Sequence, residues 1–211
     1  MACTIRYLDC IFESKGRSLF FSDIYPISGR FYFFQIEIYN GNVFLGGTFS
    51  SSLTFQGVTI TTPPGSSPFT NTWFASKFNS SGVLDTLVSL PVIANGLNDV
   101  AVNNKSEMYL VGSFRDSLVF AGTKRLTNGN NDLLILNLDS NFNQNWSQTG
   151  GGGNADVAIS ITSNNSSNAY LLGNFRGLSQ FGSTFFTGSN TFNTNVFTKL
   201  SECGKDPVSL S

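Results

Sequence analysis

Histidine is absent from this 211-residue chain, and its absence removes several kinds of chemistry at once. Without an imidazole there is no usual general base, no serine–histidine–aspartate or cysteine–histidine arrangement, and no histidine-based metal site. Thirteen carboxylates remain, and a glycoside hydrolase needs only two. We predict that the protein is not an enzyme, with no catalytic, cofactor-binding or metal-binding residues and no cofactor.

Charged residues are also scarce, at 12% of the chain against about 25% in an average soluble domain. The net charge of −1 gives no electrostatic footprint for DNA, RNA or an anionic membrane. No apolar run reaches the roughly 18 residues of a membrane span, so we expect no membrane insertion. Asp9 and Glu13 interrupt the N-terminus before a hydrophobic region forms, which predicts no classical signal peptide.

Cysteine is limited to Cys3, Cys10 and Cys203. An odd number near the termini is a poor disulfide framework, and no Cys-x-x-Cys spacing indicates zinc. We interpret all three as reduced thiols, and the alternative is a clasp between an N-terminal cysteine and Cys203.

The sequence does contain a repeat. A six-residue segment occurs three times, at 44–49, 109–114 and 170–175. Its glycines, Gly47, Gly112 and Gly173, lie 65 and 61 residues apart. A period of this length indicates that each copy is a supersecondary unit that buries its apolar face against a neighbour. Since glycine weakens a strand, we expect these three where neighbouring units approach closely.

Each copy has the pattern of four antiparallel strands. In the first copy these are strand a at 36–39, strand b at 43–49, strand c at 73–78 and strand d at 83–90. The runs are short, rich in Phe, Val, Ile and Thr, and separated by Asn, Gly and Ser clusters, which is typical of strands joined by tight turns. We predict an all-β fold of antiparallel four-stranded blades in a β-propeller or partial propeller, with a β-sandwich as the rival.

Two stretches carry a resemblance to a known family. Asn-Gly-Asn-Val-Phe-Leu-Gly-Gly at 40–47 and Phe-x-x-Lys-Phe-Asn-x-x-Gly at 74–82 resemble the SBBP-type β-propeller repeats known from bacterial surface and secreted proteins. The resemblance covers about residues 36–203 and implies a propeller-type fold. It implies little about activity, because propellers host unrelated functions.

The expected organisation follows from these copies. Residues 1–35 form an N-terminal arm that matches no repeat over its first 30 residues. The repeats occupy 36–98, 99–156 and 157–203, followed by a tail at 204–211. The third copy lacks an obvious strand d, and the apolar runs at 18–21 and 31–34 could supply it.

Three repeats are fewer than the usual 4 to 8 blades, which favours self-association, for instance two chains in a six-bladed ring. The alternatives are a four-bladed ring completed by the N-terminus, or a chain cut from a longer ancestor.

Four features are candidates for chemistry. Asp99 and Asp156 precede strand a in two copies, and we interpret them as equivalent structural caps rather than a hydrolase pair. The turn at 139–143 has the alternating oxygens of a calcium loop but lacks its glycine and final carboxylate, so we favour a hairpin turn. Gly150–Gly153 lacks the context of a phosphate loop and is expected to link blades flexibly. Trp73 and Trp146 are assigned to the core rather than to a sugar platform.

The expected function is a non-enzymatic structural or surface-displayed binding protein, for instance a component of a virus particle or cell envelope. The alternative is a carbohydrate-binding or carbohydrate-active propeller protein. Expected partners are further copies of the chain or other proteins, with glycans as an alternative. A surface location is favoured.

Overall fold

The computed structural model describes residues 8–14, 17–28, 31–64, 71–164, 168–200 and 207–209. These residues form nineteen β-strands and no helix, and the ladders between described strands are antiparallel. The chain divides into two compact units, Met1–Pro91 and Val92–Ser211. The all-β prediction is therefore confirmed.

The first unit contains two sheets. One has the order β1-β2-β5-β6, and the other contains β3, β4, β7 and the first half of β8. The strands are β1 (Leu8–Ser14), β2 (Arg17–Ser28), β3 (Phe31–Tyr39), β4 (Asn42–Phe49), β5 (Ser52–Phe55), β6 (Val58–Thr61), β7 (Thr72–Phe78) and β8 (Leu84–Val102).

The second unit begins within β8. The second half of β8 pairs with β9, followed in order by β12, β13, β16 and β17, and a separate sheet has the order β14-β15-β18-β19. Strands β10 and β11 form a hairpin. The strands are β9 (Met108–Phe114), β10 (Ser117–Phe120), β11 (Thr123–Leu126), β12 (Asp132–Leu138), β13 (Gln144–Gly152), β14 (Val157–Ser163), β15 (Ala169–Phe175), β16 (Leu178–Phe181), β17 (Thr184–Thr187), β18 (Thr194–Leu200) and β19 (Pro207–Ser209).

The strands of each copy are antiparallel neighbours in the order a-b-c-d, as predicted for the first two copies. The first repeat comprises β3, β4, β7 and the start of β8; the second comprises the end of β8, β9, β12 and β13; the third comprises β14, β15, β18 and β19. The expectation that the third copy lacks strand d was wrong. The short strand β19 pairs with β18, with Pro207 opposite Leu200.

The N-terminal apolar runs do not supply a strand to the third repeat. The run at 18–21 lies in β2, which pairs with β1 and β5, and the run at 31–34 lies in β3, which pairs with β4. Strands β1, β2 and β5 connect as β12, β13 and β16 do, so β1 and β2 occupy the c and d positions of a partial repeat. This segment was expected to match no repeat, yet its described strands correspond to the c and d strands of one. Cys3 and Cys203 lie outside the described residues.

A β-bulge recurs at the same place in strand a of every repeat. The register shifts between Phe33 and Gln35, between Leu97 and Asp99, and between Ala158 and Ser160. Each shift lies opposite the repeat glycine and the residue before it. A bulge bends its strand and increases the local twist, so the three repeats share a distortion as well as a topology.

The core of the second unit lies between the second and third repeats. A Cβ added to Gly173 on β15 would lie 2.9 Å from Leu133 Cδ1 on β12 and 3.3 Å from Val157 O, which confirms the predicted close approach at this glycine. The buried core residues are Ala101, Tyr109, Val111, Leu133, Ile135, Ala158, Ile161, Ala169, Leu171, Phe175, Phe181 and Leu200. The two sheets therefore pack face to face.

The first unit has a core of its own, rich in phenylalanine. Phe55 packs edge-on against Phe74, with ring centres 5.6 Å apart, and lies 5.9 Å from Phe78. These residues bring strands β5 and β7 together, so the hairpin of β5 and β6, which connects strands b and c, covers one face of the first repeat. The buried members are Val43, Leu45, Phe49, Leu53, Phe55, Phe74 and Phe78.

Candidate functional site

Asp99 and Asp156 are not equivalent positions, contrary to the sequence-based interpretation. Asp99 lies within β8 opposite Val111, and Ser160 lies in β14 opposite Leu172. Both partners directly precede a repeat glycine, so Ser160 is the true counterpart of Asp99. Asp156 lies four residues before Ser160, directly ahead of β14, so matching the two aspartates by residue type set the two copies four residues out of register.

Asp99 fastens the second repeat to the third. Its Oδ2 accepts hydrogen bonds from Ser160 Oγ at 2.6 Å and from the Ile161 amide at 2.9 Å, and Oδ1 accepts one from the Val100 amide. Nearby, Asn98 Nδ2 donates to Ala158 O at 2.7 Å. The carboxylate therefore has a structural role, as expected, but it joins two sheets rather than capping a turn.

Asp156 belongs to a buried carboxylate pair that the sequence did not predict. It lies just before β14 and accepts hydrogen bonds from the amides of Gly152 and Arg176, both at 2.8 Å. Its neighbour Asp132 is the first residue of β12, and its Oδ2 accepts a hydrogen bond from the Asn128 amide at 2.9 Å. Both carboxylate residues are 1% exposed.

Gly151 separates the two carboxylates. A Cβ added there would lie 2.6 Å from Asp132 Oδ1 and 2.9 Å from Asp156 Oδ2. Asp132 Oδ1 is buried and has no hydrogen-bond partner among the described residues. Gly150–Gly152 form the end of β13 and pair with β16, so the expectation of a flexible link was wrong. The glycines are needed for close packing.

The pair is electrostatically unusual. Desolvation raises the pKa of Asp132 from 3.8 to about 6, opposed by the hydrogen bond from Asn128 and reinforced by the charge of Asp156. Desolvation also raises the pKa of Asp156, against the hydrogen bonds from Arg176 and Gly152. A carboxyl that titrates near pH 6 can act as a general acid. Both carboxyls are too buried for a substrate to reach. Their oxygens instead hold the backbone amides of Asn128, Gly152 and Arg176 in place.

The turn at 139–143 is a hairpin turn, as predicted. Asp139 Oδ1 accepts hydrogen bonds from the amides of Asn141 at 2.9 Å and Asn143 at 2.8 Å, and Oδ2 accepts one from Asn143 Nδ2. Desolvation acts to raise the pKa of Asp139, but these hydrogen bonds together lower it. Asn79 makes the same turn with the amides of Ser81 and Val83. An uncharged amide therefore serves equally well.

A polar cavity of about 200 Å³ lies beside β13 in the second unit. Its only charged lining residue is Arg125 of β11, whose Nε donates to Ser147 Oγ at 3.3 Å and whose Nη2 donates to Ser147 O at 2.6 Å. The other lining residues are Asn128, Gln148, Thr149, Gly150, Gln180 and Gly182. No feature of the sequence had indicated it, because its walls come from three separate hairpins.

The third repeat has an uncovered face, which we call the outer face and define by Tyr170, Leu172 and Phe197. The Tyr170 and Phe197 rings stack, with centres 6.0 Å apart and planes 7° apart, and Phe197 is 48% exposed. Leu172 lies opposite Phe197 in the ladder and is half-buried.

The matching face of the second repeat is fully covered. Val111 lies opposite Ile135, as Leu172 lies opposite Phe197, and Tyr109 takes the place of Tyr170. These three residues are at most 4% exposed and share a core with the third repeat. Equivalent surfaces are thus buried in one repeat and open in the next.

Trp73 lies in the core, as predicted, and Trp146 is partly buried against the core of the second unit. Trp73 is fully buried, and Trp146 packs against Tyr109 with ring centres 6.0 Å apart. Neither forms an exposed sugar platform.

No protein-family model matches this chain, and no curated protein shows significant similarity to it. The resemblance to SBBP-type repeats therefore stays a prediction. Among the described residues, no three Cys, Asp or Glu side chains come together as metal ligands, and none belongs to a helix suited to spanning a membrane.

Proposed function

We propose that this protein is a non-enzymatic structural or surface-displayed binding protein, built from propeller-type repeats, that associates with further copies of itself. The outer face of the third repeat supports the proposal. Tyr170, Leu172 and Phe197 form an apolar surface on the third repeat. Their counterparts in the second repeat form the same kind of surface, and there it is buried against the third repeat. An apolar surface of this kind favours a protein partner.

The propeller arrangement is part of the same proposal. Four-stranded sheets in sequential order that pack face to face are the elements of a propeller, and closed propellers have about 4 to 8 blades. This chain carries three repeats and the c and d strands of another. A second copy would provide the additional blades and cover the outer face. Display on a virus particle or cell envelope suits such an assembly.

The two-carboxylate hydrolase alternative has less support. Asp99 and Asp156 use their oxygens as acceptors for the backbone amides of Ile161, Val100, Gly152 and Arg176. A nucleophile or general acid needs an oxygen free to meet the substrate. Hydrolysis assays on glycan substrates with Asp99→Asn and Asp156→Asn variants test this alternative separately.

Sedimentation equilibrium over micromolar concentrations tests the association. We expect a dimer or larger species, against 22.9 kDa for a monomer. Phe197→Ser should weaken association by about tenfold or more, because burial of a phenylalanine contributes roughly 1.5 to 3 kcal/mol. Phe192→Ser is the matched control, since Phe192 is 74% exposed and precedes β18. A monomer at every concentration, or equal effects of the two variants, would contradict the proposal.

A further inference from the structure

We propose that the polar cavity beside β13 binds an acidic sugar unit, with the sugar carboxylate held by Arg125. This site goes beyond the self-association proposed above and does not depend on it. The cavity lies where Gln148, Thr149 and Gly150 of β13 meet the segments that connect strands b and c in the second and third repeats. The second repeat provides Arg125 and Asn128, and the third provides Gln180 and Gly182.

The charge of the cavity selects an anion. Arg125 is its single charged lining residue, and no carboxylate lines it. The two hydrogen bonds to Ser147 fix the guanidinium through Nε and Nη2. A guanidinium held in place before binding loses little side-chain entropy when it meets a carboxylate.

The remaining walls select hydroxyl groups. They consist of amides, a hydroxyl and glycines, and the lining surface is almost entirely polar. Gln180 Nε2 donates to Gly182 O at 2.9 Å, which orients one of the amides. Amide and hydroxyl groups both donate and accept, as sugar hydroxyls do. An apolar ligand would gain nothing from these walls.

The size of the cavity limits the ligand to one ring. About 200 Å³ is below the roughly 300 to 1,000 Å³ of pockets for drug-sized molecules. Gly150 keeps the wall flat, since an added Cβ would overlap the Phe181 ring and lie 3.1 Å from Gln180 O. A hexuronic acid unit, with one carboxylate and several hydroxyls on a single ring, matches the charge, polarity and volume together.

Calorimetric titration with methyl glucuronoside and methyl glucoside tests the proposal, because these sugars differ only in the carboxylate. We expect the glucuronoside to bind at least about tenfold more tightly, the effect of one charge-assisted hydrogen bond. Binding should weaken as salt is raised, since the cavity is open to solvent. No binding of either sugar at about 10 mM, or equal binding of both, would overturn the proposal.

Variants locate the site. Arg125→Gln should remove the preference for the glucuronoside, and Gln148→Glu should abolish glucuronoside binding by repulsion while Arg125 stays in place. Arg115→Gln is the matched control, because that guanidinium donates to Asn130 and Asn131 side chains and does not line the cavity. Circular dichroism verifies folding of each variant. If Arg125→Gln and Arg115→Gln bind alike, the cavity is not the binding site.

Discussion

The second and third repeats have the same strand order, yet their strands differ in burial. Strands β9 and β12 of the second repeat are buried at every position. Strand β15 of the third repeat alternates between buried and half-buried residues, and the first four residues of β18 alternate between half-buried and exposed. The difference lies in cover, because the second repeat has both faces of these strands buried and the third repeat has one face exposed.

The sequences of the two c strands record this difference. Strand β12 reads Asp-Leu-Leu-Ile-Leu-Asn-Leu, a nearly continuous apolar run, whereas β18 reads Thr-Asn-Val-Phe-Thr-Lys-Leu. Continuous apolar runs are typical of strands buried on both faces, and mixed ones of strands with one solvated face. The exception is Phe197, which stays apolar on the open side. That exception motivates the proposed partner.

Truncation at matched positions should give the largest contrast. We expect Ile135→Ala to lower the free energy of unfolding by about 2 to 5 kcal/mol, because Ile135 is fully buried. Phe197→Ala, at the equivalent position, should cost less than about 1 kcal/mol in a dilute sample, because Phe197 is 48% exposed. Urea denaturation measures both. Equal losses of stability in the two variants would contradict the conclusion that this face is buried in the second repeat and exposed in the third.

The Asp132 carboxyl should make stability depend on pH. Its folded-state pKa is raised from 3.8 to about 6, so its contribution is complete below pH 3.8 and is lost as the pH rises through about 6. The difference is at most about 3 kcal/mol. Asp132→Asn, which stays neutral, should be more stable than the native chain at pH 8 and should flatten the pH profile.

Asp139 is the matched control for that profile. Its pKa is lowered, so its contribution is present above pH 3.8 and is lost as the pH falls through the lower folded-state value. Asp139→Asn should therefore change stability in acid and leave the difference between pH 4 and pH 8 intact. Thermal unfolding across pH measures both variants. If Asp132→Asn keeps the native slope, the buried pair does not titrate as described.

Gly173 should tolerate substitution less well than a glycine with space around it. Gly173→Ala should cost about 1 to 3 kcal/mol, because the new Cβ would meet Leu133 Cδ1 at 2.9 Å and Val157 O at 3.3 Å. Gly153→Ala, with nothing within 4 Å of its Cβ, should change stability by less than about 0.5 kcal/mol. Similar costs in the two variants would mean that the repeats do not approach closely at Gly173.

The sequence predicted features that repeat and missed features that join separate segments. The anchors at Gly47, Gly112 and Gly173 predicted the four-stranded sheets, because a segment that recurs at nearly constant spacing indicates a recurring structural unit. The bulge was missed because it depends on backbone register. The N-terminal repeat was missed because its described strands correspond only to c and d, although Phe12-x-Ser14-x-Gly16 matches Phe78-x-Ser80-x-Gly82 at a distance of 66 residues.

The candidate sites were harder to predict than the fold. Asp132 begins strand c of the second repeat and Asp156 lies just before strand a of the third, and no local pattern pairs them. The cavity around Arg125 likewise depends on three hairpins that meet only in the folded chain. Burial decides both features, since it raises the pKa of the carboxyls and shapes the cavity. Neither burial nor tertiary proximity can be read from residue spacing alone.

Fluorescence of a Phe197→Trp variant tests most directly whether the outer face of the third repeat binds a second copy. The native spectrum, from Trp73 and Trp146, is subtracted at each concentration. We predict emission typical of an exposed indole at nanomolar concentration and a blue shift as the chains associate at micromolar concentration. Emission that stays exposed while sedimentation reports association would place the interface elsewhere and contradict the account.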